Sequence, residues 1–164
     1  MTFINEYNFK EQYKKGNKHA RFLDEHYSKV FHIEVVSKFL EKLGIDRIFT
    51  HLKTGAKNSI EYKADERAAT TGNIFVETIS VDTTKTLGWA YTSCAQWLMI
   101  YIPEKNIVYH TTPIHVRQKI EEWQEMYKTV TIPNEGYNTI GICVPEKIFE
   151  TVCWRTEIIH KLIP

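Results

Sequence analysis

The hydrophobic pattern of the sequence changes its period at Gly44, and this change constrains the fold more than any other feature. Before Gly44 the apolar residues recur at helical spacing, and after it they alternate as they do in β-strands. A glycine directly after an amphipathic stripe is typical of a helix C-terminus. The sequence therefore predicts an α/β fold in which helices precede a β-sheet.

Two helices are predicted upstream of Gly44, over residues 18–31 and 36–43, because each range carries an apolar stripe. Downstream, residues 45–52 and 59–63 are predicted to form a hairpin around a turn at residues 53–57. Three more strands are expected in the central sheet, at residues 73–81, 97–102 and 106–111. A short helical segment is expected at residues 92–96, and an exposed helix is expected to begin at Pro113 and continue to Met126.

The composition is that of one globular domain. With 164 residues, 43% of them hydrophobic and 25% charged, the chain can bury a single core. We expect one domain over residues 1–164, with a core at about residues 20–112 and a C-terminal helix and extension over residues 113–164. The formal net charge of +1 gives no global basic field, so a nucleic-acid partner would require a local basic groove.

The sequence also indicates a cellular compartment. No apolar run approaches the roughly 20 residues needed to span a bilayer, and the N-terminus lacks the basic and then apolar segments of a secretion signal. Cys94, Cys143 and Cys153 are widely spaced, which favours neither a disulfide framework nor a zinc ribbon. We therefore expect a cytoplasmic protein that makes no contact with membranes.

The residues best suited to chemistry lie between Gly44 and Lys63. Asp46 begins the first predicted strand, and Glu61 and Lys63 lie two residues apart on the second, so that their side chains project to the same side. Pairing of the two strands would bring Asp46 towards Glu61. Two carboxylates can bind Mg²⁺ through hard oxygen ligands, and a nearby lysine can stabilise charge that develops on a phosphoryl group. This grouping predicts metal-dependent hydrolysis of phosphodiesters.

The segments 44–46 (GID) and 60–63 (IEYK), joined by a hairpin, resemble the PD-(D/E)xK nuclease superfamily, which includes restriction enzymes and Holliday-junction resolvases. The resemblance covers about residues 20–112. It implies a restriction-endonuclease-like mixed β-sheet flanked by helices, in a small standalone enzyme of the kind that would suit a phage or another mobile element.

The resemblance also implies an activity, which is that of a Mg²⁺-dependent endodeoxyribonuclease in which Mn²⁺ substitutes for Mg²⁺. Asp46, Glu61 and Lys63 would be catalytic, and Asp46, Glu61 and Tyr62 would hold the metal. The partner would be duplex or branched DNA. A chain of this length leaves little room for a recognition domain, so a homodimer or a partner protein would supply specificity.

Other residues are candidates for supporting roles. Auxiliary contacts at the site are predicted for Glu25, Asp65, Glu77 and Gln96. A second register would use Asp65 and Glu77 as the acids, with Lys85 as the lysine because Ile79 stands where a lysine is expected. Nucleic-acid contacts are predicted for four basic residues, namely Arg47, Lys57, Arg67 and Lys85.

Two alternatives stay open at this point. The first is that Glu61 and Lys63 belong to a solvated, charged strand without function. The second is a catalytically silent or partner-dependent nucleic-acid-binding module with the same fold. Zinc-protease, nucleophile-elbow and nucleotide-binding glycine motifs (HExxH, GxSxG and GxGxxG) are absent from the sequence.

Overall fold

A computed structural model describes residues 9–160, with side chains described from residue 13 onward. In this range the chain forms the helices α1 (Phe9–Tyr27), α2 (Lys38–Glu41), α3 (Ala68–Thr71), α4 (Trp89–Thr92), α5 (Pro113–Arg117), α6 (Ile120–Met126) and α7 (Glu146–Phe149), and a 3-10 helix at Glu150–Val152. The strands are β1 (Phe31–Val35), β2 (Arg47–His51), β3 (Lys57–Ala64), β4 (Asn73–Val81), β5 (Thr86–Leu87), β6 (Trp97–Ile102), β7 (Ile107–Thr111), β8 (Thr129–Pro133), β9 (Asn138–Pro145) and β10 (Arg155–Ile158).

These strands form two sheets. The six-stranded sheet has the order β1-β2-β3-β6-β7-β10, in which β3 and β6 are parallel and the other neighbours are antiparallel. The four-stranded sheet has the order β5-β4-β9-β8 and is antiparallel throughout. The mixed α/β class predicted from the sequence is confirmed. The expectation of a single central sheet is wrong, since β4 leaves the first sheet and pairs with β9.

The six-stranded sheet has a different apolar cluster on each face. Alternate residues of β6 belong to different clusters, because successive side chains of a strand point to opposite faces of the sheet. Leu98 and Ile100 join the core that also holds residues of β4, β9, α4 and α6. Met99 packs on the other face, in the cluster that contains Leu23 of α1 and Tyr62 of β3. Helix α1 therefore covers one face of the sheet, and the second sheet shares the core on the other.

The hairpin of β2 and β3 and the strands β4, β6 and β7 agree with the sequence-based prediction. The helices agree less well. Residues 31–35 form the strand β1 because they alternate and pair with β2, and tertiary pairing overrides a weak helical pattern. The second predicted helix is reduced to the single turn α2, whose Phe39 is 71% exposed. Its apolar stripe does not face the core.

Further differences lie downstream of the hairpin. The helical segment predicted at residues 92–96 is wrong, because α4 occupies Trp89–Thr92 and residues 93–96 are not helical. The helix predicted from Pro113 to Met126 is divided into α5 and α6, and the hydroxyl of Thr112 caps α5. Residues 113–160 are not only a helix and an extension, because they supply β8 and β9 to the second sheet and β10 to the first.

Residues 1–8 and 161–164 of the predicted domain lie outside the described residues. Between residues 9 and 160, no helix has the length and apolar character that crossing a bilayer requires.

Candidate active site

The hairpin of β2 and β3 brings Asp46 beside Glu61. The backbone N–H of Asp46 donates to the carbonyl of Ile60 at 2.8 Å, which extends the ladder one residue beyond the start of β2. In return, the backbone N–H of Tyr62 donates to Oδ2 of Asp46 at 2.8 Å. The Asp46 carboxylate is thus fixed against the backbone of the strand that carries Glu61 and Lys63.

Glu61 is a buried acid with one unpartnered oxygen. Its side chain is 3% exposed, because Glu61 pairs with Leu98 of β6 and faces the core between the two sheets. Its Oε1 forms an ion pair with Nζ of Lys63 at 2.8 Å, whereas its buried Oε2 has no hydrogen-bond partner. Burial raises the pKa of Glu61, and the positive charge of Lys63 opposes that rise. A buried carboxylate oxygen without a donor is costly to the fold.

Lys63 is the cation at the centre of the site, and its side chain remains 37% exposed. Burial acts to lower the pKa of Lys63, but the charges of Glu61, Asp46 and Glu77 outweigh it and raise the pKa above its ordinary value. Lys63 is therefore a permanent ammonium near neutral pH. It can neutralise negative charge on a bound group, but it cannot act as a base.

Glu77 reaches the site from the second sheet. It lies on β4, where its Oε1 accepts the backbone N–H of Trp89 at 3.3 Å. Burial raises the pKa of Glu77, and the charge of Lys63 again acts against the rise. A Cβ atom at Gly88 would lie 2.4 Å from the carbonyl oxygen of Glu77, so only glycine permits this close approach of the two segments.

A buried serine lies between Glu61 and the turn that precedes Asp46. Ser93 is 3% exposed and lies beside Glu61, but its hydroxyl donates to the carbonyl of Gly44 at 3.2 Å. Arg117 of α5 donates to the carbonyl of Ser93 at 2.8 Å and to that of Ala90 at 3.1 Å. These contacts fix the segment after α4 against the turn that precedes Asp46.

The opposite face of the hairpin is occupied by an ion pair. Nε of Arg47 donates to both carboxylate oxygens of Asp24 at 3.0 Å, and its Nη1 donates to the carbonyl of Asp46 at 2.8 Å. The hydroxyl of Tyr62 donates to the same Asp24 at 3.1 Å. Arg47 is therefore paired and 12% exposed, which leaves it poorly placed for the predicted DNA contact. The side chain of Tyr62 also points away from Glu61, so any metal contact by Tyr62 would come from its backbone.

The predicted auxiliary residues do not all meet at the site. Glu25 is exposed on α1, which packs on the opposite face of the sheet from Glu61. Asp65 uses Oδ1 to accept the backbone N–H groups of Arg67 and Ala68 and uses Oδ2 to accept that of Phe75 at 2.9 Å. It therefore caps α3 and connects it to β4.

The other predicted auxiliary and basic residues, Gln96, Lys57 and Lys85, also lie in defined positions. Oε1 of Gln96 accepts the backbone N–H of Ser59 at 2.9 Å, which is a structural contact at the start of β6. Lys57 is exposed at the start of β3, and Lys85 is exposed in the turn between β4 and β5. The lysine whose charge acts on Glu77 is Lys63, which belongs to the first register.

The carboxylates fit a hard divalent cation in their chemistry. Asp46 and Glu61 offer oxygen ligands, and Oε2 of Glu61 is a buried acceptor without a donor. Across residues 13–160, no three His, Cys, Asp or Glu side chains form a preformed metal group. Mg²⁺ is commonly held by one or two carboxylates, with water and substrate phosphate completing its shell, so two acids are a sufficient protein contribution.

One feature of this region was not predicted from the sequence, namely the buried Ser93, whose position beside Glu61 depends on the fold of residues 44–93. Of the predicted auxiliary residues, Glu77 is the one that lies near Lys63, and it does so through contact between the two sheets. Comparison of the chain with protein-family models, with curated proteins and with solved structures found no match.

Proposed function

We propose that this chain is a metal-dependent nuclease that hydrolyses phosphodiester bonds in DNA, with Asp46, Glu61 and Lys63 as its catalytic residues. One observation carries the proposal. Two carboxylates lie on adjacent strands with a lysine ammonium 2.8 Å from one of them, and the second oxygen of that buried acid has no partner. Binding of a cation would offset the cost of burying this oxygen without a donor. On a strand whose charged residues are merely solvated, the side chain of Glu61 would not be buried to 3% exposure.

Each residue has a separate role in the proposed reaction. A Mg²⁺ ion held by Asp46 and Glu61 would polarise the phosphodiester and lower the pKa of a bound water. Lys63 would neutralise charge on the phosphoryl oxygens, since it is a permanent cation. Glu77 would hold the Lys63 ammonium in place from the second sheet.

A restriction-endonuclease-like fold belongs to the same proposal. It is supported by the mixed six-stranded sheet, by the hairpin that carries the two acids and by the long helix α1 before it. The four-stranded sheet is an addition that the resemblance does not imply.

The first experiment is a cleavage assay of the full chain on labelled DNA and RNA with Mg²⁺, Mn²⁺ or EDTA, beside Asp46→Asn. We expect DNA to be cut only with a divalent cation and expect Asp46→Asn to abolish cutting. Exposed Glu104 in the turn between β6 and β7 supplies the matched control, because it lies six residues along the chain from Leu98, the strand partner of Glu61, and Glu104→Gln should therefore retain the wild-type rate. Cutting in EDTA, or at an unchanged rate by Asp46→Asn, would reject the proposal.

The roles of Lys63 and Glu77 are separable by substitution. We expect Lys63→Ala to lower the cleavage rate by about 10²–10³-fold, as the loss of one group that stabilises a developing anion does. Glu77→Gln should lower the cleavage rate less, because the Glu77 carboxylate acts only by holding Lys63. A lethal Glu77→Gln beside a mild Glu61→Gln would favour the register that begins at Asp65.

A second candidate function is a nucleic-acid-binding module without turnover, or one that cuts only with a partner. It is favoured by the ion pair between Lys63 and Glu61, which engages an acid that the reaction requires, and by the finding that no three acids of the described residues are grouped so as to hold a metal ion. Metal-dependent binding of DNA without cleavage in the same assay would support it.

A further inference from the structure

A cleft of about 500 Å³ opens beside Lys63, between the two sheets. Lys63 and Ile100 line it from the six-stranded sheet, Phe75 and Glu77 from β4, and Ile132 from β8. Its volume is within the range of pockets that enclose small organic ligands. The candidate active site therefore adjoins a cleft rather than a flat surface.

The depth of the proposed catalytic acid limits what can approach it. Glu61 is 3% exposed and lies behind Lys63, which forms part of the cleft wall. A continuous DNA duplex is stiff over about 150 base pairs and presents its phosphates on the outside of a rod. An unpaired strand bends freely, so it can follow the cleft down to Lys63 while a duplex cannot.

The wall of the cleft suits the face of a nucleobase. The partly exposed Phe75 offers aromatic surface and Ile132 adds aliphatic surface, whereas Trp89 and Ile100 line the cleft as core residues that are only 8% and 1% exposed. Aromatic side chains bind unpaired bases by stacking, with little dependence on sequence. Phe75 and Ile132 are therefore the apolar side chains that a base in the cleft can contact.

The rim of the cleft is polar and carries a free cation. Thr71, Asn73 and Thr131 provide groups for hydrogen bonds to base edges or sugar. Arg67 lies at the same rim, is exposed, and has no ion-pair partner within residues 13–160. The carboxylate of its neighbour Asp65 is occupied by backbone N–H groups, which leaves Arg67 available to a phosphate.

We propose that this cleft binds an unpaired nucleobase next to the scissile phosphate, so that the substrate is DNA with a single-stranded segment or flap. This inference rests on the nuclease proposed above and adds its substrate class. The base stacks on Phe75 and packs against Ile132, and the neighbouring phosphates contact Lys63 and Arg67.

The test uses one labelled sequence in three forms, which are a closed circular duplex, a duplex with a single-stranded flap, and a free single strand. We expect the full chain with Mg²⁺ to cut next to unpaired nucleotides about tenfold faster than within the closed duplex, because stacking of one base is worth about 5- to 150-fold. Cutting of the closed duplex at an equal rate would overturn the cleft proposal and leave the nuclease intact.

A filling variant tests the cleft itself. Ile132→Trp places a bulky ring into the slot, and we expect it to lower single-strand cleavage by about tenfold. Thr129→Trp is the matched control, since Thr129 lies exposed on the same strand outside the cleft. An Ile132→Trp protein that folds normally and cuts single strands at the wild-type rate would overturn the proposal.

A binding measurement decides the case in which no DNA is cut. An oligonucleotide with one unpaired 2-aminopurine is titrated with the wild-type chain in Ca²⁺. Quenching of its fluorescence that is lost in Ile132→Trp would support base insertion, even though the proposed nuclease activity had failed. A signal that does not change on binding would overturn the cleft proposal as well.

Discussion

At the scale of single residues, the site combines groups that the fold does not favour. Glu61 is an acid placed in a core position of β3, and one of its oxygens lies without a donor. Residues that break the rule of satisfied burial are common where a protein binds or reacts. The spacing of Glu61 and Lys63 could be predicted from strand alternation. The burial of Glu61 could not, because it depends on the second sheet that covers that face.

This conflict predicts a gain in stability when the acid is removed. Glu61→Gln eliminates a buried charge, while Lys63 keeps the charges of Asp46 and Glu77 nearby. In EDTA we expect the free energy of unfolding of the variant to be about 1 kcal/mol higher than that of the wild type. This difference corresponds to a rise in Tm of about 2–4 °C. Thermal unfolding followed by circular dichroism measures this change, with exposed Glu104→Gln as the control.

The same variants separate a metal ligand from an inert buried acid. A divalent cation that binds only the folded state raises its stability, by about 2.7 kcal/mol at a hundred times the dissociation constant. We expect Mn²⁺ to raise the Tm of the wild type and of Glu104→Gln but not that of Glu61→Gln. An equal response in all three proteins would show that Glu61 does not bind the metal.

At the scale of elements, the accuracy of prediction follows the range of the interactions. The hairpin of β2 and β3 was predictable because its turn and its alternation are local. The strand β1 was missed since its pattern is short and its partner β2 lies 12 residues or more away in sequence. Gly44 has the left-handed φ expected after a helix, but α2 ends at Glu41 with Lys42 as its C-cap, so Gly44 belongs to the turn that follows.

Gly44 also determines how the first catalytic strand begins. Its φ of +70° lies in the left-handed region, and a Cβ atom there would lie 2.8 Å from Cα of Ser93. Gly55 has a similar φ of +71°, but a Cβ atom would meet nothing within 4 Å. The two glycines thus have equal backbone strain and different surroundings.

The comparison of Gly44→Ala with Gly55→Ala isolates the effect of close packing. We expect Gly55→Ala to destabilise the fold by about 1 kcal/mol through its φ alone, and Gly44→Ala to cost about 1–3 kcal/mol more because the backbone must move. Gly44→Ala should also lower cleavage, since Asp46 follows two residues later. Urea unfolding and the DNA assay measure the two effects, and equal losses in both variants would contradict this account.

At the scale of the whole molecule, a buried polar network joins the first helix to the last strand. His110 of β7 lies with its Nε2 3.1 Å from both the hydroxyl of Tyr27 on α1 and Oε2 of Glu157 on β10. His26 of α1 and Arg155 of β10 contact the other oxygen of Glu157 at 3.1 Å and 3.2 Å. No sequence pattern predicted this network, because its members are separated by up to 131 residues.

The network predicts that the fold loses stability in acid. Burial lowers the pKa of His110 below its ordinary value of 6.5, against the effect of Glu157, so the folded protein holds this histidine neutral. Burial acts to raise the pKa of Glu157, but contacts with His26, Arg155 and Tyr27 outweigh it and lower the pKa below 4.5. In both cases the unfolded chain binds more protons than the folded one, so acidification favours unfolding.

The loss of stability should therefore begin as the pH falls through 6.5, where the unfolded histidine gains its proton, and should continue below 4.5, where the unfolded glutamate does the same. Urea unfolding at pH 7, 6, 5 and 4 measures the dependence. His110→Gln removes the first titration, and we expect its free energy of unfolding to change less between pH 7 and 5 than that of the wild type. His115→Gln is the matched control, since His115 is exposed on α5 and should leave the wild-type slope intact. If the free energy of unfolding of His110→Gln kept the wild-type dependence on pH between 7 and 5, the network would not be the source of the acid sensitivity. The stability of the contact between α1 and β10 would then depend on the apolar cluster that contains Leu23 and Ile159.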